Sequence, residues 1–170
     1  FLVALVSSYR YEGSRKNDAA IESDAQKLNK AVRNGDKTML IKDEEIVRIL
    51  TTRSKPHLKE VFKCYYYDFD RDIVEDLGEE SGLKDTIYCL CAPQVYFSKI
   101  LDSAMKANAT KNEQEALTRV IVTRTDVDMK DIAEEYNKQY GTPLAKKIED
   151  VAIGNYKDFL VTLVQRALAK

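Results

Sequence analysis

Apolar residues recur along this chain at spacings of three and four, which is the period of an α-helix. Over Ala19–Val32, the residues on one predicted helix face are Ile21, Ala25, Leu28 and Val32. Similar stripes predict further helices over Asp43–Arg53, Pro56–Phe69, Asp70–Leu77, Leu83–Cys91, Pro93–Lys106, Glu115–Arg124, Met129–Tyr140, Pro143–Val151 and Tyr156–Ala167. The pattern contains no clear strand signal, so it predicts an all-α fold.

One part of this pattern occurs twice. Ile46–Ser54 returns as Leu117–Thr125, with Arg53 and Arg124 placed 71 residues apart. A fixed offset indicates a structural unit that is used more than once. We therefore predict two units of five helices each, and we place Arg33–Lys42 as a turn between the first two helices of the earlier unit.

A second internal similarity involves the first six residues of the chain. Phe1–Val6 nearly repeats Phe159–Val164, which belongs to the predicted last helix of the later unit. We therefore expect residues 1–18 to be the end of a preceding unit and a linker. Residues 19–92 and 93–170 are then the two complete units, and a surface left uncovered by a preceding unit should be apolar.

Composition narrows the classes of function. The 170 residues include 27 basic and 28 acidic side chains, a net charge of −1, which argues against a nucleic-acid binder that depends on a large positive field. No apolar run approaches the ~20 residues that span a bilayer. The three cysteines, Cys64, Cys89 and Cys91, have no metal-ligand spacing and are expected to be reduced thiols.

Short motifs occur in a fixed order over nearly the whole chain. They are Ser7–Gly13, Arg48–Ser54, Tyr96-Phe97, Ala116–Arg124, Asp128, Glu135-Tyr136 and Gly154–Tyr156. Together they resemble the C-terminal half of an annexin of the plant type. The resemblance implies the end of repeat two followed by repeats three and four, stacked into a curved array of five-helix repeats.

The resemblance also implies a function. Annexins are calcium-dependent phospholipid-binding proteins, so it implies a cytoplasmic protein, peripheral at membranes, whose partners are an acidic phospholipid surface and the missing N-terminal half. Peroxidase or nucleotidase activity is attributed to some plant annexins, but we find no P-loop, nucleotide fingerprint or catalytic carboxylate pair and expect no enzyme. The open alternative is a structural or partner-binding half that binds no calcium itself.

The second unit departs from the calcium-binding pattern of annexins at two places. An annexin-type site combines a Lys-Gly-x-Gly-Thr-Asp/Glu loop with a carboxylate about 40 residues further on, since calcium takes six to eight oxygen ligands. The corresponding loop, Lys106–Glu113, lacks both glycines, and Lys111 adds a positive charge. Asn155 stands where the carboxylate is expected. We expect a lost site; a surviving weak one would use Asn155 and loop carbonyls.

The first unit keeps more of the pattern. Its loop, Arg33–Thr38, retains Gly35, and Glu79 and Glu80 follow at a suitable distance. These three residues are the candidate calcium ligands of this half. The alternative is a solvated turn and a solvated acidic loop.

Other residues carry weaker hypotheses. Val47-Arg48-Ile49 resembles an Ile-Arg-Ile tripeptide linked to F-actin binding in plant annexins, but periodicity places Ile49 in the core. We expect the helix-borne arginines to form partly buried ion pairs or to cap carbonyls, with Glu44 four residues before Arg48 as one pair. Cys89 matches a cysteine of proposed redox function in plant annexins, with a buried inert thiol as the alternative.

The single histidine, His57, directly follows Pro56. It has no neighbouring pattern of a catalytic triad. We therefore expect an imidazole at the surface.

Overall fold

The computed structural model describes residues 1–7, 9–13, 17–34, 37–77 and 82–169. Across these residues it contains eleven α-helices, one 3₁₀ helix and no strand, so the all-α prediction is confirmed. The chain divides into two compact units, which we call unit 1 (Phe1–Cys91) and unit 2 (Ala92–Lys170).

Unit 1 is built from helices that surround one apolar core. Its elements are α1 (Leu2–Ser7), α2 (Asp18–Asn34), the 3₁₀ helix (Lys37–Lys42), α3 (Glu44–Thr52), α4 (Lys55–Phe69), α5 (Ile73–Leu77) and α6 (Leu83–Cys91). The largest fully buried side chains are Leu28, Leu40, Ile46, Ile49, Leu50, Leu58, Tyr65, Leu77 and Leu83. The faces predicted from three- and four-residue spacing are therefore the faces that pack together.

Unit 2 has five helices around a core of its own. They are α7 (Pro93–Ala104), α8 (Lys111–Arg124), α9 (Met129–Tyr140), α10 (Leu144–Val151) and α11 (Gly154–Leu168). The core includes Leu101, Ile121, Ile132, Tyr136, Ile148, Leu160 and Val164. Tyr136 is buried, and so is Tyr65, the residue that corresponds to it 71 positions earlier in unit 1.

Two helices of unit 2 begin earlier than the sequence analysis predicts. α8 starts at Lys111 instead of Glu115 because Thr110 and Glu113 form a capping box. The Thr110 hydroxyl accepts from Glu113 N at 3.3 Å, and the Glu113 carboxylate accepts from Thr110 N at 2.7 Å. Both otherwise unpaired amides are thereby satisfied. α11 starts at Gly154 instead of Tyr156.

The predicted turn Arg33–Lys42 is shorter than expected. α2 continues to Asn34, and Lys37–Lys42 form the 3₁₀ helix. α3 then begins at Glu44, since the Asp43 carboxylate accepts from the amides of Glu45 and Ile46 at 3.0 Å each.

Residues after α1 are tied to the end of α3. The Arg10 guanidinium donates to the carbonyls of Leu50 and Arg53, and Tyr11 N donates to Thr52 O at 3.3 Å. The last carbonyls of a helix have no partner within it. Arg10 therefore closes the C-terminal end of α3 with charge-assisted hydrogen bonds.

Candidate functional site

The calcium ligands predicted for unit 1 are Gly35, Glu79 and Glu80. All three lie outside the described residues. The structure therefore does not test this site, which stays a prediction.

In unit 2, a surface cavity lies between the α7–α8 loop and the beginning of α11. Its volume is about 550 Å³, and its walls include Lys106 and Ala107 on one side and Ala152, Ile153 and Tyr156 on the other. The two segments that the sequence analysis pairs as halves of a calcium site thus border one cavity. Asn155, the residue in the position of the expected carboxylate, is exposed and is not among the residues that line it.

Hydrogen bonds inside the α7–α8 loop engage several of its oxygen atoms. The carbonyl of Lys106 accepts from Ala109 N at 3.1 Å, and the carbonyl of Ala109 accepts from Gln114 Nε2 at 3.0 Å. The Glu113 carboxylate accepts from both the amide and the hydroxyl of Thr110 at 2.7 Å. These bonds, the backbone one foremost, lower the pKa of Glu113. The carbonyls of Lys106 and Ala109 are thus directed towards donors of the loop and of α8.

The charges at the cavity are positive. Lys106 and Lys147 line it, and no carboxylate of the described residues does. Lys106 pairs with Asp102, with Nζ 3.3 Å from Oδ2. Lys147 is half-buried and has no ion-pair partner in the part of the chain that the structure describes. An ammonium group in this position attracts anions and repels a divalent cation.

The remaining wall of the cavity is largely apolar. Leu117, Val151 and Ile153 contribute to it. Tyr156 is held in place by a hydrogen bond between its hydroxyl and Thr118 Oγ1, 2.7 Å apart. Across the described residues, no group of three or more His, Cys, Asp or Glu side chains is arranged to hold a metal ion.

Unit 1 contains a buried polar cluster centred on Asp24. This carboxylate is 1% exposed and accepts from Arg53 Nε at 2.6 Å and from Arg48 Nη2 at 3.3 Å. His57 Nε2 lies 3.0 Å from Oδ2, the oxygen that also accepts from Arg53 Nε. Burial alone would raise the pKa of Asp24, but hydrogen bonds from Arg53, His57 and Arg48 outweigh it, so the pKa lies below its ordinary value.

Two predictions about this region are corrected. His57 is 7% exposed rather than at the surface, because it faces Asp24 from the first turn of α4. Arg48 pairs with Glu45, at 2.8 Å, and with Asp24, instead of with Glu44. The expected role in partly buried ion pairs is confirmed for Arg48 and Arg53, whereas Arg119, the counterpart of Arg48 in unit 2, is exposed.

In unit 2 the corresponding arginine, Arg124, has different partners. Arg124 donates to Asp128 at 2.7 and 2.6 Å and lies over the Phe97 ring, 4.8 Å from its centre. By the repeat spacing, Phe97 corresponds to Asp24, and Asp128 corresponds to His57. The acidic partner in unit 2 is therefore the residue before the third helix, and a cation–π contact with Phe97 stands where unit 1 has the ion pair with Asp24.

The sequence contains a signal for the burial of Asp24 and His57. Asp24 is three residues after Ile21 and four before Leu28, and His57 is four before Val61. Both therefore lie on the apolar faces of their helices. A polar residue in such a position needs a buried partner.

Cys64, Cys89 and Cys91 form no disulfide among the described residues. Burial raises the pKa of Cys91 to about 11. Burial, with a hydrogen bond to Asp68, raises the pKa of Cys64 to about 11. Few thiolates are present at neutral pH, so neither residue is activated as a nucleophile.

The tripeptide compared with an actin-binding motif is not an open surface. Ile49 is fully buried, as periodicity predicts, and Arg48 is held by Asp24 and Glu45. Contact of F-actin with Ile49 would require α3 to leave the core, whereas Val47 and Arg48 are partly exposed.

None of the helices in the described part of the chain is both long and apolar enough to cross a membrane. A family model described as Annexin matches residues 23–82 and 96–163. Annexin D4 of Arabidopsis thaliana is 44% identical over 168 residues, which is 98% of this chain. Annexin-like protein RJ4 of Fragaria ananassa is 41% identical over 96% of this chain. The chain spans about half the length of these curated relatives, 52% in each case.

Solved structures show the same fold. Annexin III superposes with a TM-score of 0.84 at 28% identity, covering 96% of this chain and 51% of that one. Chicken annexin V superposes with a TM-score of 0.77 at 30% identity, covering 96% of this chain and 52% of that one. With the family match over more than half of its residues, the chain belongs to the annexin family.

Proposed function

We propose that this chain is the C-terminal half of a calcium-dependent phospholipid-binding annexin. Residues 1–18 end a preceding repeat and form a linker, 19–92 are repeat three, and 93–170 are repeat four. The protein acts by binding rather than by catalysis, in the cytoplasm and peripherally at membranes. Family membership and the half-length match to plant annexins support this assignment.

The observation that carries the proposal is the cavity of unit 2. The α7–α8 loop and the start of α11 border it together, which is the arrangement expected of an annexin-type lipid-binding edge. Calcium does not fit the residues present there. Among the described residues, two ammonium groups and no carboxylate line the cavity, and the carbonyls of Lys106 and Ala109 already accept hydrogen bonds. Calcium-linked binding therefore depends on other repeats.

Unit 1 is the remaining place for calcium within this half. Gly35 would allow the loop backbone to turn its carbonyls inward, and Glu79 or Glu80 would supply charge. Calorimetry of the chain and of its Glu79→Gln, Glu80→Gln double variant tests this site at about 1 mM calcium, where weak sites fill. Equal heats from the two proteins count against it.

The proposed function is tested by sedimentation of the full-length protein with vesicles. Vesicles of phosphatidylserine and phosphatidylcholine, with calcium or with chelator, are compared with vesicles of phosphatidylcholine alone. We expect sedimentation with the acidic vesicles and its increase by calcium. A full-length protein that stays in solution with acidic vesicles in calcium contradicts the proposal.

A second function, as a partner-binding half, is favoured by the surface of α1. Leu2, Val3 and Val6 are exposed on this helix, and Tyr9 is exposed just after it. Contiguous exposed apolar side chains mark interaction surfaces. We propose that the N-terminal repeats cover them. Co-purification of separately expressed halves, and its loss in a Val3→Asp, Val6→Asp variant, tests this contact.

A further inference from the structure

We propose that the cavity of unit 2 binds the phosphate of an acidic phospholipid directly, without calcium, through Lys147 and Lys106, while Ile153 enters the apolar layer beneath the headgroups. This inference rests on the proposed membrane-binding function and assigns a different chemistry to this repeat. The occupant to which we commit is a phospholipid in a membrane surface.

Charge is the first argument for this occupant. Lys147 is half-buried in the cavity wall and lacks an ion-pair partner among the described residues. Lys106 lines the same wall, and the acid that pairs with it, Asp102, is not a lining residue. An unpaired ammonium group in a partly apolar wall is stabilised by a bound anion, because the anion replaces part of the lost hydration.

The Glu113 carboxylate lies close enough to interact with Lys106, but it does not line the cavity. Both protons offered by Thr110 hold the Glu113 carboxylate at the start of α8. The cavity also borders the first turn of α11, which no side chain caps. Its amides add positive potential of the same sign.

Apolar exposure is the second argument, and it distinguishes a membrane from a soluble phosphate. Ile153 is 86% exposed at the rim of the cavity. Val151 and Tyr156, which line the same cavity, are also exposed. A soluble anion would leave this apolar rim in water, whereas a lipid surface buries it. Basic side chains beside exposed apolar ones are typical of a segment that lies in the membrane interface.

The placement of the lysines within α10 offers a matched control. Lys146 and Lys147 are adjacent, but only Lys147 lines the cavity, while Lys146 is exposed elsewhere. Lys146→Glu therefore changes net charge as Lys147→Glu does without changing the cavity. For Ile153→Asp the control is Val127→Asp, since Val127 is also an exposed aliphatic residue and does not line the cavity.

The test is sedimentation of the 170-residue chain with phosphatidylserine-containing vesicles in chelator. We expect binding of the unaltered chain, and affinity reduced on the order of tenfold by Lys147→Glu, since juxtamembrane basic residues contribute individually to binding of acidic lipid. Ile153→Asp should weaken binding as well, and both control variants should bind nearly as the unaltered chain does. Inorganic phosphate at low millimolar concentration should compete weakly.

Several outcomes overturn the inference. They are absence of binding in chelator, equal loss with Lys146→Glu and Lys147→Glu, equal binding to phosphatidylcholine vesicles, and full competition by inorganic phosphate. Circular dichroism and thermal unfolding establish that each variant is folded, and Lys147→Met replaces Lys147→Glu if the latter is not. Calcium-promoted sedimentation of the full-length protein is unaffected by these outcomes, so the proposed function is tested separately.

Discussion

The Arg53 guanidinium donates two hydrogen bonds to the buried carboxylate of Asp24. Its Nε lies 2.6 Å from Oδ2, and its Nη2 lies 3.1 Å from Oδ1. The pair joins α3 to α2 through the interior of unit 1. Arg48 and His57 reach the same carboxylate from α3 and α4. One acidic residue thus fixes three helices relative to each other, and its charge is balanced by groups that are themselves partly hydrated.

Loss of this charge should destabilise unit 1. Asp24→Asn leaves Arg53 and His57 without their anion and leaves Arg48 with Glu45 alone. Breaking a buried pair costs 3–5 kcal/mol, but the two arginine side chains are 37% and 34% exposed, so we expect about 2–3 kcal/mol. Urea unfolding measures this, and Glu22→Gln, an exposed acid on the same helix, should change stability by less than about 0.5 kcal/mol. If both substitutions lowered the free energy of unfolding by the same amount, the buried Asp24 cluster would not be what stabilises unit 1.

The same cluster predicts how stability depends on pH. The pKa of Asp24 is lower in the folded chain than in the unfolded one. Its contribution is therefore complete above the unfolded pKa of about 4 and is lost as pH falls through the lower folded pKa. The melting temperature should fall steeply below pH 4 in the unaltered chain and less steeply in Asp24→Asn. Parallel pH profiles for the two proteins would be inconsistent with this linkage.

Cysteine reactivity should be low in the folded chain. With pKa values of about 11, Cys64 and Cys91 should react with iodoacetamide far more slowly at pH 7.5 than in urea, and faster as pH rises towards 11. Mass spectrometry of digested samples gives the rate for each residue. Rates at pH 7.5 equal to those of the urea-unfolded chain would show that the thiols are not held as described.

A gain of calcium binding is expected from restoring the loop of unit 2. Ala107→Gly and Ala109→Gly free the backbone to turn its carbonyls inward, and Asn155→Asp adds a carboxylate. Calorimetry should show more calcium bound than by the unaltered chain. The control joins the two glycines to Asn137→Asp, which adds the same charge on α9. No gain, or the same gain in the control, would mean that these three positions do not account for the calcium chemistry.

The helices were predictable from sequence where a strong local signal ends them. α9 has the predicted bounds, Met129–Tyr140, because Gly141 adopts the left-handed conformation that ends a helix. The start of α8 was missed although its cause, Thr110 three residues before Glu113, is local. The spacing of apolar residues likewise contains a signal for the burial of Asp24 and His57.

Other features depend on packing that a linear pattern does not contain. Whether Arg48 pairs with Glu44 or Glu45 depends on where α2 places Asp24, since the guanidinium must reach both acids at once. The cavity of unit 2 forms because the α7–α8 loop meets the start of α11. From the sequence, these two segments could be paired only through the family resemblance. No sequence pattern indicates that Lys147 lines the cavity.

The most direct test of the central claim is a calcium titration followed by the backbone amide NMR signals of Lys106–Thr110 and Gly154–Tyr156. The claim is that unit 2 holds no calcium between these segments. In the presence of nanodiscs that contain phosphatidylserine, the account predicts that calcium up to about 1 mM leaves these signals unchanged. Saturable shifts in both segments, reversed by chelator, would contradict it.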